Sequence, residues 1–318
     1  MGRAARRRPT VSDTMRILIT GPSGAIGAAL AAALAAAHDV RGLARDPTRV
    51  DPSLGLETVR GDVLSGEGLE QALAGIEVAY YLIHSMEPAA RLTFSERDRA
   101  AAALFGQAAA RAGVRRIIYL GGLTPLAGPR SAHLHSRSEV EQILLDAVPD
   151  SVALRASLVI GARSRSFRAI VRLIERLPVI PLPPWRRRRT QPIDQRDAIA
   201  YLAAAARAPH VGGETLDIAG PETLSYGAMI ERIAALLMLP RPTITLPVRV
   251  GALGSAVAAR VSGEARELLG PLMESLDSDL IADDARARTQ LGVRLHGFDA
   301  AVEHALREWE ALEPLRTR

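Results

Sequence analysis

Near the N-terminus a short run with an apolar centre, Arg16, Ile17, Leu18, Ile19 and Thr20, leads into Gly21, Pro22, Ser23, Gly24, Ala25, Ile26 and Gly27. An alanine-rich stretch follows, free of glycine and proline until Gly42. This pattern predicts strand, glycine turn and helix. Segment 39–45 reads as the next strand, so residues 15–45 have the length of one βαβ unit, about 30 residues. Each glycine has a physical job. Gly21 turns the chain sharply off the strand, and Gly24 lets backbone N–H groups approach a pyrophosphate with no Cβ between them. Gly27 lets the helix pack closely. The helix start then offers unpaired N–H groups and a partial positive charge to phosphates.

The alternation continues. Strands are expected at 56–60, 78–83, 116–120 and 152–158, with helices at 65–74, 93–112 and 131–147. Strands alternating with helices imply an α/β, doubly wound parallel sheet with right-handed crossovers. A ligand should then sit at the carboxyl ends of the strands, near the switch in strand order. Beyond residue 161 the pattern becomes irregular. Pro178, Pro181, Pro183 and Pro184 interrupt it before Trp185 and the four arginines Arg186 to Arg189. Helices at 197–208, 225–239 (with Ser225 as N-cap) and 299–312, and short strands at 215–218 and 243–246, complete the reading. Three regions result: a disordered basic extension, 1–14; a dinucleotide-binding domain, 15–160; and a smaller, mostly helical substrate-side lobe, 161–318, partly interleaved with the sheet.

Composition removes several chemistries. The 318 residues hold 40 basic side chains, all arginine, and no lysine, cysteine or asparagine. Without cysteine there is no disulfide and no thiolate nucleophile or ligand. Without lysine there is no Walker P-loop and no Schiff base. The net charge of +5 comes largely from Arg3, Arg6, Arg7 and Arg8 in the extension, so it does not point to nucleic acid. No apolar signal region and no run of roughly 18 apolar residues is seen, so the protein is expected to be cytoplasmic. The scattered histidines show no metal-ligand spacing. Arg186 to Arg189 read either as a solvated loop or as a phosphate or carboxylate clamp over a substrate, with nucleic-acid contact and peripheral membrane contact as further readings.

The segments ITGPSGAIG, GDVLSGEGLEQAL, AYYLIHSM, RIIYLGGLTP and QPIDQRDAIAYL occur in this order. Together they resemble an atypical or extended short-chain dehydrogenase/reductase with a Rossmann fold. The nearest group is the NmrA-like, NAD(P)H-binding set, which is also similar to the 39 kDa-type accessory subunit of respiratory complex I. The resemblance covers about residues 15–220. It implies that Gly21, Gly24 and Gly27 bind pyrophosphate, lined by Ser23, Ala25 and Ile26. Asp62 and Val63 would hold adenine, and His84 and Ser85 would lie near the nicotinamide ribose. Gly121 and Gly122 occupy the strand end where active relatives place Ser or Thr.

Charge bears on the cofactor. NAD-specific sites put an acid at the end of the second strand for the ribose 2′-hydroxyl. Here Arg45 stands there, which suits a 2′-phosphate, so NADP(H) is preferred and NAD(H) possible. Arg41 is a second candidate contact if strand alternation turns it the same way. The family's Tyr-x-x-x-Lys pair cannot exist without lysine. At the matching helix the best-placed pair is His133 and Arg137, and Thr124 is a further hydroxyl donor. Two classes of function stay open. One is an NAD(P)-dependent oxidoreductase, or an epimerase/dehydratase-like enzyme, acting on a small molecule through a non-standard site. The other is a non-catalytic NAD(P)(H)-binding redox sensor or assembly subunit.

Overall fold

The computed structural model describes residues 14–83, 94–125, 132–246, 259–261, 263 and 276–313. In the first half, strands β1 (Arg16–Thr20), β2 (Asp39–Ala44), β3 (Glu57–Arg60), β4 (Val78–Tyr81), β5 (Arg116–Gly122) and β6 (Val152–Ala156) alternate with helices. Those helices are α1 (Ala25–Leu34), α2 (Leu69–Leu73), α3 (Phe94–Arg111) and α4 (Ala132–Ala147). The second half holds β7 (Val159–Ile160), α5 (Arg165–Arg176), β8 (Ile180–Leu182), β9 (Arg189–Thr190), β10 (Ile193–Asp194) and α6 (Gln195–Ala205). It continues with β11 (Glu214–Asp217), β12 (Leu224–Ser225), α7 (Tyr226–Leu236), β13 (Thr243–Thr245), α8 (Ala285–Leu291) and α9 (Phe298–Leu312).

Seven strands form one sheet in the order β11-β6-β5-β4-β1-β2-β3, and every pairing in it is parallel. The expected Rossmann architecture is therefore present. Strand order reverses between β1 and β4, which opens the crevice where such sheets take ligands. Both faces of β1 are covered. Ile17 and Ile19 pack with Leu30 of α1 and Leu202 of α6, while Leu18 packs with Phe105 of α3 and Leu144 of α4. Small residues make up for scarce aromatics: an added Cβ at Gly106 would lie 2.7 Å from Ala147 Cβ, so α3 and α4 nearly touch.

The C-terminal half both completes this sheet and builds a lobe of its own. Helix α6 packs on α1, and β11 adds the edge strand beside β6. Arg116, 1% exposed, locks the join by donating to Asp150 and to the carbonyls of Ala205, the last residue of α6, and of Ala208 beyond it. The lobe's core gathers Phe167 and Val171 of α5, Tyr226 and Ile233 of α7, and Val302 and Trp309 of α9. The proline-bearing stretch expected to be irregular supplies β8, which pairs with β13, so its backbone groups are satisfied.

Local chemistry explains where boundaries differ from expectation. Helix α2 starts at Leu69 rather than 65 because Gly66 and Gly68 have φ of +80° and +71°. Helix α7 is capped by Ser225, whose Oγ accepts from Ala228 N–H at 3.1 Å, and it ends before Met238, at φ 55°. Helix α6 begins at Gln195, two residues early, because Asp194 caps it by accepting from Arg196 N–H at 2.7 Å. No described helix is long and apolar enough to cross a membrane.

Candidate functional site

The glycine turn after β1 is tightly built. Gly21 takes φ +68°, and its N–H donates to Leu43 O of β2 at 3.1 Å. Gly24 N–H closes the turn onto Gly21 O at 3.0 Å. A Cβ on Gly27 would stand 2.2 Å from Gly21 O, so the first turn of α1 rests directly on the glycine turn. Ala25 and Ile26 share that first turn, no side chain caps it, and no acid neutralises it. Thr20, fully buried, stitches the neighbouring strand end into place. Its hydroxyl donates to Tyr80 O at 3.0 Å and accepts from Leu82 N–H at 2.8 Å.

A cleft of about 560 Å³ opens over this turn. Gly21, Ser23 and Gly24 of the turn line it, with Arg45, Asp46 and Arg49 after β2, Asp62 and Val63 after β3, and Leu82 and Ile83 after β4. Arg97 of α3 and Arg165 of α5 line it too. Asp62 is oriented by Leu64 N–H, which donates to its Oδ1 at 2.9 Å. Arg45 is exposed at the end of β2. Asp46 beside it is tied back by Thr48, whose hydroxyl and N–H donate to its Oδ1 at 2.6 and 3.1 Å. The Thr48 hydroxyl, and after it the N–H, hold that carboxyl below the usual carboxylate range. Arg41 is turned elsewhere, which corrects its reading as a second phosphate contact. Its guanidinium donates to Glu57 at 2.9 Å and to the carbonyls of Gln71, Ala72 and Ala74 at 3.3, 3.1 and 3.0 Å, closing the end of α2.

The sequence reading did not single out Arg49, Arg97 or Arg165. Arg49 ends the short 3-10 turn Pro47–Arg49, close enough to β2 that the charge beside Arg45 was a usable signal. Arg97 and Arg165 arrive from helices far along the chain, and only packing brings them to this cleft.

At the carboxyl end of β5, Gly121 and Gly122 pair with Arg155 and Ala156. A Cβ at Gly121 would meet the Tyr119 ring at 2.8 Å. His84 and Ser85 lie outside the described residues, and His133 is placed by its backbone in the first turn of α4. Arg137, 5% exposed, points inward and lies beside Tyr119. Burial pushes the Tyr119 hydroxyl up, and the Arg137 guanidinium pulls against that. Glu141, one turn further, is held by Arg155 at 2.6 Å and by the Thr215 hydroxyl at 2.7 Å. Thr124 Oγ1 and Ser136 Oγ are buried with no hydrogen-bond partner among the described residues. In the arginine run, Arg186 donates to Thr245 Oγ1, and Arg189 pairs with Asp279 at 2.9 Å. Arg187 and Arg188 are exposed.

Residues 21–157 match the model of a family described as NAD(P)H-binding. An uncharacterized protein of Mycobacterium tuberculosis is 29% identical over 237 residues, covering 74% of this chain. The chain spans only about a quarter (24%) of that relative's length. A (4-alkanoyl-5-oxo-2,5-dihydrofuran-3-yl)methyl phosphate reductase of Streptomyces griseus is 28% identical over 233 residues, covering 70% of this chain and 74% of that protein. Among solved structures, TunA, an NAD-dependent NDP-hexosamine 5,6-dehydratase of tunicamycin biosynthesis, has a TM-score of 0.69 at 20% identity, covering 94% of this chain and 98% of its own. A UDP-glucuronic acid 4-epimerase of Bacillus cereus, in complex with UDP-glucuronic acid and NAD, has a TM-score of 0.68 at 19% identity, covering 94% of this chain and 100% of its own. Residues 21–157 thus carry the match to an NAD(P)H-binding family, and the chain shares the fold of these dehydratase and epimerase structures.

Proposed function

We propose that the protein is an NAD(P)H-dependent oxidoreductase that favours NADP(H) over NAD(H) and acts on a small polar molecule without a Tyr-x-x-x-Lys pair. The observation that carries this reading is the cleft itself. An uncapped helix start forms its floor, and Arg45 stands at its adenosine end with the adjacent acid tied back by Thr48. The residues present fit the dinucleotide: the Cβ-free position at Gly24 leaves room for a pyrophosphate against backbone N–H groups, and Gly27 lets α1 start directly on the glycine turn. Bound there, the cofactor supplies hydride chemistry.

The chain's own residues would bind and orient. Gly21, Ser23, Gly24, Ala25, Ile26 and Gly27 form the phosphate seat, Asp62 and Val63 flank adenine, and Arg45 pairs with the 2′-phosphate. His84 and Ser85 approach the nicotinamide ribose, with Gly121 and Gly122 on the opposite wall. His133 is the proposed proton carrier, since imidazole titrates near neutrality. Arg137, buried beside Tyr119, positions α4 against β5. The unpartnered hydroxyls of Thr124 and Ser136 support a polar ligand nearby, because buried polar atoms are rarely left unpaired. The Streptomyces reductase named for a phosphate ester supports a phosphate-bearing substrate, which Arg187 and Arg188 would meet. The dinucleotide requirement fits a cytoplasmic protein.

A second reading is a non-catalytic NAD(P)(H) sensor or assembly subunit. It is favoured by the missing lysine and by the inward course of Arg137. Following NADPH oxidation with quinones, aldehydes and phosphate-bearing enones as acceptors separates the two. Turnover that drops at least tenfold in His133→Ala supports the enzyme. Tight NADPH binding with no oxidation of any acceptor supports the sensor.

A further inference from the structure

The cleft carries more positive charge than the glycine turn and Arg45 require. Its lining holds four arginines, Arg45, Arg49, Arg97 and Arg165, against Asp46 and Asp62. Arg45 and Arg49 follow β2, whereas Arg97 and Arg165 come from α3 and α5. A Cβ on Gly21 would lie 3.6 Å from Ile83 Cγ1 and 3.9 Å from Leu82 O, so the end of β4 touches the phosphate turn. Arg97 sits in the first turn of α3, the helix that follows β4, with buried Asp98 and Ala101 fixing that turn.

Arg165 is the first residue of α5, which belongs to the C-terminal lobe. Phe167, Val171 and Ile174 bury the other face of α5 in that lobe's core, so the position of Arg165 is anchored. Two residues earlier, the charge of Arg163 reaches Asp51, beside the short turn Pro52–Leu54 whose Leu54 packs on the core shared with α1. The segment from Arg163 to Arg165 therefore leads from the neighbourhood of Asp51 to the lining of the cleft.

We infer that Arg97 and Arg165 form a second wall of the pyrophosphate site, opposite the glycine turn, so that a bound dinucleotide is gripped between backbone N–H groups of the N-terminal half and a guanidinium of the C-terminal lobe. This rests on the cofactor reading above and extends it. Guanidinium groups suit the task because their planar fork pairs with phosphate oxygens. The grip acts on the diphosphate, which NADH and NADPH share, so it sets affinity without choosing between them. It also makes cofactor binding a bond between the two halves of the chain.

The test uses the full chain and three probes: NADPH, ADP-ribose (which has the diphosphate) and AMP (which does not). Arg97→Gln, Arg165→Ala and the double variant are titrated by calorimetry, with thermal unfolding as the check on folding. Roughly tenfold loss per arginine is expected for NADPH and ADP-ribose, with AMP affinity within about twofold of wild type. At equal NADPH concentration the cofactor should also raise the Tm of wild type more than that of Arg165→Ala. Unchanged ADP-ribose affinity in variants of a wild type that binds it overturns the clamp and leaves the cofactor site standing. Equal losses for AMP and ADP-ribose overturn it as well, since the arginines would then support the adenosine half or the fold. A wild type that binds none of the probes overturns both the clamp and the cofactor reading.

Discussion

Replacing Gly27 by alanine sets two measurable effects against each other. The new Cβ would stand 2.2 Å from Gly21 O, 2.9 Å from Gly21 C and 3.2 Å from Pro22 Cα, whereas ordinary contact begins at 3.4 Å. All three neighbours are backbone atoms, so no rotamer change relieves the clash, and the helix start or the turn must move by about 1 Å. Overpacking of this kind costs about 1–3 kcal/mol. Alanine returns at most about 1 kcal/mol through its helix propensity. The expected net loss is about 1–2 kcal/mol, a fall in Tm of a few degrees for a chain of this size. Because the same movement displaces the N–H groups aimed at the cleft, NADPH affinity should fall at least tenfold. Gly24→Ala is the control. Gly24 has φ −78° and ψ 165°, open to any residue, and its Cβ would meet only Gly21 O at 3.3 Å. Its Tm should stay within about a degree of wild type while NADPH affinity drops, because the methyl group stands where the diphosphate approaches. Calorimetric unfolding and fluorescence titration of both variants decide the matter. Wild-type Tm and affinity in Gly27→Ala, or equal destabilisation by both substitutions, would refute the reasoning.

Three further outcomes are expected. Arg45→Ala should weaken NADPH about tenfold and leave NADH unchanged by calorimetry; equal affinities for both cofactors throughout would remove the 2′-phosphate assignment. Arg116→Met should cost about 3 kcal/mol in urea unfolding, since it strands the carbonyls of Ala205 and Ala208 and frees Asp150 from its buried partner; a loss under about 1 kcal/mol would show that the join does not depend on it. Asp279 is held below the usual carboxylate range first by the Arg189 N–H and then by its guanidinium, so the folded state releases this proton more readily than the unfolded chain. Its contribution is present at neutral pH and lost as pH falls through the folded value, so Tm measured from pH 7 down to about 3 should decline less steeply in Asp279→Asn than in wild type.

The glycine turn and the parallel sheet were legible because their signals are local. A strand, a glycine spacing and an alanine helix follow one another within one βαβ unit, and β1, α1 and β2 fall where the residues say. Arg41 was ambiguous for the opposite reason. Strand alternation alone does not say which face carries the ligand, and the carbonyls that claim Arg41 belong to residues 71–74 at the end of α2, about thirty residues further along the chain. Arg137 was placed correctly along its helix, yet its depth depends on Tyr119 and on how closely α4 lies on β5. Arg97 and Arg165 could not be read at all. They share a cleft with Gly21 only because β1 and β4 are sheet neighbours and α5 is anchored in a separate core. Composition was a sound guide to what is impossible, the missing lysine above all, and a poor one to what partners the net charge implies.

The order in which the sheet is completed has a consequence for synthesis. β11 is the last of the seven sheet strands by sequence and forms one edge, and it cannot pair with β6 until residue 217 has been made. Helix α6, which covers the outer side of α1 and gives Arg116 two of its acceptors, is made only shortly before. A nascent chain that stops near residue 160 therefore presents an open sheet edge and an uncovered apolar helix face, the kind of surface that invites association. The nucleotide-binding half is not a cassette closed on itself; its β6 edge and the outer side of α1 are covered only by residues of the second half.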